Sequence, residues 1–64
     1  MRKNGTYAKL KNPVGQFPDG TVVRVWPQSD ITKTYEVLVT DERFLEKVGA
    51  GGRRLLLNES ELKD

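Results

Sequence analysis

The residues of this chain with the most binding chemistry to offer are Trp26, its single tryptophan, Arg24 two residues before it, and the cations Lys9 and Lys11 of an earlier segment. Tryptophan, tyrosine and arginine carry a large share of the energy at binding hot spots. A flat ring beside a cation also receives the bases and phosphates of nucleic acids. Tyr7 belongs to the same stretch, and Arg53 with Arg54 adds a second pair of cations near the C-terminus. These seven residues are the candidate partner-binding set.

Catalysis finds less support. The chain has neither cysteine nor histidine, which removes thiolate nucleophiles, the usual zinc sites and the common general base near neutral pH. No calcium-loop run of carboxylates occurs. The segment VGAGGRR, Val48 to Arg54, places glycines beside arginines as anion cradles do. Its spacing satisfies no nucleotide-loop pattern, however, and its glycines precede a strand where those motifs open a helix. The expectation is a non-enzyme without cofactor or metal, with the glycines serving as a pliable return to the sheet.

The 64 residues suit a single domain, 1–64, which at this size buries only about 60% of the surface exposed by the unfolded chain. No apolar run approaches the length that spans a bilayer, and Met1 to Gly5 leads into no signal-peptide core. A cytoplasmic protein away from membranes is therefore expected. Net charge is +2, unevenly spread. Through residue 24, Arg2, Lys3, Lys9, Lys11 and Arg24 face Asp19 alone, a balance of +4, and the remainder sums to −2. This is either chance on a solvated surface or a basic face aimed at phosphates or an acidic partner.

Positioning these groups falls to short strands. Thr6 to Lys11 alternates, with Ala8 and Leu10 on one side and Tyr7, Lys9 and Lys11 on the other. Asn12-Pro13 stops that strand, and after a long loop Pro18-Asp19-Gly20 turns the chain, with the glycine left-handed. Thr21 to Trp26 and Thr34 to Thr40 are rich in β-branched and aromatic residues and read as the second and third strands. If Val23 and Val25 face the core, Arg24 and Trp26 look outward together. Alternatively Trp26 plugs one end of a barrel, its indole N–H on a loop carbonyl.

Pro27 to Lys33 is longer than a tight turn, so it leaves the register of the two strands open. Asp41 to Gly49 reads as a short helical insert capped by Thr40 or Asp41, with Phe44, Leu45 and Val48 on one side. Gly49 to Gly52 is a hinge, and Arg53 to Leu57 a last strand. Asn58 to Leu62 is a capped single turn, with Leu62 tucked back inside.

Four to five antiparallel strands with one long loop and a terminal turn make an all-β fold, a small closed or nearly closed barrel. The order TYAKLK, GTVVRVW, KTYEVLVTD, RRLLLNESEL resembles the SH3-like small-barrel superfamily, whose members often carry G-x-V-V-x-V and end on a strand and a turn closing in leucine. The resemblance covers nearly the whole chain and implies a binding scaffold. The eukaryotic SH3 peptide site is not carried over, because the ALYDY-type run and paired tryptophans are missing. The fuller KOW signature and the Val-Gln-Ile-Tyr run of the type II dihydrofolate reductases are likewise absent.

Function is thus expected to be binding. A protein-interaction or assembly module is the first reading, and a nucleic-acid-binding barrel, favoured by the sequence pI of 9.2, is the alternative. Exposed strand edges leave room for a homo-oligomer under either.

Overall fold

In each long strand every second side chain is apolar, and the structure turns that alternation into one buried face. The computed structural model describes residues 1–44 and 54–64. Five strands, β1 (Thr6–Leu10), β2 (Val22–Ser29), β3 (Thr34–Val39), β4 (Arg54–Asn58) and β5 (Leu62–Lys63), form one sheet of order β4-β3-β2-β1-β5. All its pairings are antiparallel.

The inner face carries Ala8 and Leu10 of β1, Val23 and Val25 of β2, and Tyr35, Val37 and Val39 of β3, with Leu57 and Leu62 from the edge strands. Full burial of each large apolar side chain contributes about 1.5–3 kcal/mol before ordering costs.

The sheet cannot be flat. Asn58 ends β4 and Leu62 begins β5, a separation that four residues of extended chain span with at most about 14 Å. A flat sheet would set its first and fifth strands about 19 Å apart. The single 3₁₀ turn Glu59–Glu61 therefore pulls the two edges toward each other and curls the sheet into a half-barrel around its core. β4 and β5 remain its two edges and do not pair with each other.

Phe17 closes this trough. Val14 and Phe17 exchange backbone hydrogen bonds of 2.8 and 2.9 Å across Gly15 and Gln16, with Gly15 at φ +56°. This tight reversal lies inside what reads in the sequence as a plain long loop. It drives Phe17 into the core, 1% exposed, where it meets Phe44 edge-on at 5.9 Å. Gly20 takes φ +81°, the left-handed conformation expected, and Thr21 closes the turn by donating its hydroxyl to the Pro18 carbonyl at 2.6 Å.

Several boundaries differ from the sequence reading. β2 continues past Trp26 through Pro27 to Ser29. A proline is tolerated there because N–H and C=O of one residue point to the same neighbour. Thr21 and Val25 bond toward β1, through Leu10 and Gly5, so position 27 faces the same side, beyond the start of β1 where no ladder bond is lost. A register shift at Pro27/Ser29 and Lys33 at φ +56° complete the reversal into β3.

The expected helical insert is a 3₁₀ turn at Glu42–Phe44, capped by Asp41, whose Oδ1 accepts the Arg43 N–H at 3.1 Å. The rest of the insert, the glycine hinge and Arg53 lie outside the described residues. The last strand runs to Asn58, and the two residues after the terminal turn form β5. Among the described residues there is no α-helix, and no helix is long and apolar enough to cross a membrane.

Candidate partner-binding face

With the valines turned inward, their neighbours in sequence make up the outer face. Register then aligns them in rows across the strands. One row reads Tyr7, Arg24, Leu38, Arg54; the next reads Trp26, Glu36, Leu56; a third pairs Lys63 with Lys9 and Lys9 with Val22. The charged residues that the strands turn to this face are Lys9, Arg24, Arg54 and Lys63 against a single carboxylate, Glu36. The acidic residues Asp19, Asp30, Asp41, Glu42, Glu59, Glu61 and Asp64 all sit in turns, in the 3₁₀ segments or at the chain end.

At the centre lies Arg24, half-buried. Its Nε donates to the Gly5 carbonyl at 2.9 Å, and its guanidinium carbon stands 5.3 Å from the Tyr7 ring centroid and 5.4 Å from that of Trp26. Cation–π attraction of this kind contributes about 0.5–1 kcal/mol at exposed sites and more where water is excluded. Gly5, at φ +71°, permits the approach, because a Cβ there would fall 2.8 Å from Arg24 Nη2. Arg24 makes no ion pair with any described residue. The result is a positioned cation beside two rings, whose Nη donors are not committed to any described carboxylate.

Trp26 is half-buried and Tyr7 is 66% exposed. Beyond Trp26 a shallow groove of about 310 Å³ is lined by Trp26, Gln28, Glu36, Leu38 and Arg54, at the small end of the roughly 300–1,000 Å³ of ligand pockets. Arg54 is held across it by Glu36 at 2.9 Å, and Leu56, one row on, is 69% exposed.

Of the seven residues chosen from sequence, Trp26, Arg24, Tyr7, Lys9 and Arg54 share this face. Lys11 follows the end of β1, exposed, its backbone N–H on the Glu61 carbonyl at 2.9 Å, and stands apart from the rows. Arg53 lies outside the described residues. Sequence reasoning missed Gly5, which holds Arg24 in place, and Lys63, which the terminal turn carries back beside Lys9. A glycine immediately before a strand was the one available signal for the first.

Two other polar clusters are structural in kind. Asp41, 7% exposed, accepts Val22 N–H at 3.0 Å and Arg43 Nε and Nη2 at 3.0 and 2.7 Å. The Arg43 bonds, aided by the two backbone donors, outweigh burial and hold its carboxyl far below the usual range. Its carboxylate replaces a ladder partner at the end of β2, and a proton-accepting role near neutral pH does not suit it.

At the opposite corner Tyr35 Oη donates to Glu59 at 2.6 Å and accepts the Arg2 backbone N–H at 3.0 Å, while Arg2 reaches Glu59 and Asp64. Burial, followed by the Glu59 carboxylate, pushes the Tyr35 phenol up. Hydrogen bonding from Tyr35, assisted by Arg2, pulls Glu59 down against its own burial. Among the described residues no three metal-ligating side chains gather.

Compared with known proteins, the chain matches no family model, no curated protein and no solved structure.

Proposed function

We propose that this chain is a non-catalytic binding module on an SH3-like scaffold, and that its outer sheet face binds nucleic acid. The supporting observation is the segregation of charge. Four strand cations against one carboxylate share a face with two aromatic rings, while the other described acidic residues sit in turns, in the 3₁₀ segments or at the chain end. Phosphate neutralisation needs a local basic face, and the chain-wide balance matters less.

The alternative, docking of a protein partner, draws on a different feature, the exposed Leu56 beside the groove closed by Glu36 and Arg54. Apolar centres ringed by paired charges are typical of protein interfaces.

Fluorescence anisotropy of labelled oligonucleotides, titrated at low and near-physiological salt, separates the two. Nucleic-acid binding is expected in the micromolar range and should weaken steeply with salt, since each neutralised phosphate releases counterions. Absence of binding at low salt would transfer the face to a protein partner.

A further inference from the structure

Resting on the nucleic-acid reading, the geometry points to a narrower ligand: we infer that the face takes a single strand, with one base on Tyr7, a neighbouring base on Trp26, and the phosphate between them at Arg24.

What each group can reach decides the form of the ligand. The Arg24 guanidinium carbon stands 5.3 and 5.4 Å from the two ring centroids, so the centroids are separated by no more than the sum of those distances. Base faces in a duplex are stacked on one another at about 3.4 Å, so only base edges and backbone are offered to a protein. An aromatic ring can stack only on a base that has left such a stack. Two rings that share one cation therefore match a strand whose bases are splayed apart and whose linking phosphate meets that cation.

Neighbouring groups fit the same ligand. Tyr7, at 66% exposure, offers ring surface to solvent, and Trp26 forms one wall of a groove of about 310 Å³ that Leu38 also lines. The two Nη groups of Arg24 form a fork suited to phosphate oxygens. Lys9 and Lys63, paired across β1 and β5, extend the cationic line past Tyr7 for the next phosphate. Direct opposition of two lysines costs stability, which a strand's phosphates would offset.

The test uses the whole chain with fluorescein-labelled oligothymidine, the same strand annealed to its complement, and inorganic polyphosphate as a base-free polyanion. Trp26, the single tryptophan, reports stacking directly. Oligothymidine should quench its emission, and polyphosphate should bind without quenching. The single strand should bind more tightly than the duplex, with affinity falling as about the second power of salt for three contacting cations. Tyr7→Ala should weaken single-strand binding about 5- to 150-fold, and Tyr7→Phe should restore it. Duplex binding as tight as single-strand binding, or single-strand binding without quenching and indifferent to Tyr7→Ala, would overturn the inference and leave the nucleic-acid reading standing. No binding of either form at low salt would remove both.

Discussion

Gly5 and Arg24 are fitted to each other twice over. The glycine carbonyl accepts Arg24 Nε at 2.9 Å, and its missing side chain vacates the space that Nη2 would otherwise contest at 2.8 Å. Gly5→Ala should therefore cost about 1–2 kcal/mol, from a left-handed φ imposed on alanine, and should also displace Arg24 from beside the two rings. Gly15→Ala is the matched control, because its φ of +56° is equally left-handed but nothing lies near its Cβ. Thermal melts should fall for both variants, and oligonucleotide affinity should fall for Gly5→Ala only.

Asp41→Asn should be among the most damaging single-atom changes. It removes a buried carboxylate that satisfies two backbone N–H groups and Arg43, with an expected loss of about 2–4 kcal/mol. Because the folded-state pKa is depressed, the stabilisation is fully present above the unfolded value of about 4. It is lost progressively as pH falls below that value toward the folded one. Acid titration of urea midpoints should show this loss in the parent and a smaller slope in Asp41→Asn.

Tyr35→Phe keeps the buried ring, 0% exposed, and deletes the hydroxyl that joins Arg2 to Glu59. The expected cost is about 1–2 kcal/mol. The raised phenol stabilises the fold below its unfolded pKa of about 10, and that contribution fades as pH rises through the folded value. The depressed Glu59 carboxyl acts oppositely, contributing above about pH 4 and fading in acid. Stability against pH should lose its alkaline limb from this cluster in Tyr35→Phe, measured by chemical denaturation.

Lys63→Glu should raise stability and lower binding together. It converts a directly opposed like-charged pair with Lys9 into an opposite pair, a gain of about 0.2–1 kcal/mol, while it removes one of the proposed phosphate contacts. Denaturation midpoints and oligonucleotide titrations on the same preparation measure both. A variant that binds undiminished would take Lys63 out of the interface.

Much of the face is legible in the amino-acid sequence alone. Alternation in TYAKL and TVVRVW places Arg24, Trp26, Tyr7 and Lys9 opposite the core residues, and Val23 and Val25 are indeed fully buried. Phe17 is not legible in the same way, because its burial depends on a reversal at Gly15-Gln16 within a segment of no periodicity. Nor is β5, since two residues after a turn carry no pattern of their own.

What the sequence by itself determined is local: where the long strands lie, though not where each ends, which side of each strand a residue takes, and where Gly20 must turn the chain. A period of two is written into consecutive residues and needs no partner to be read. Only the tertiary structure decided which rows form, with Tyr7 opposite Arg24, Lys63 opposite Lys9 and Arg2 against Glu59, 57 positions away. Register is a property of two strands at once. It was set here by the shared core and by Asp41 standing in as a ladder partner, while a turn too short to let the sheet lie flat drew its edges together.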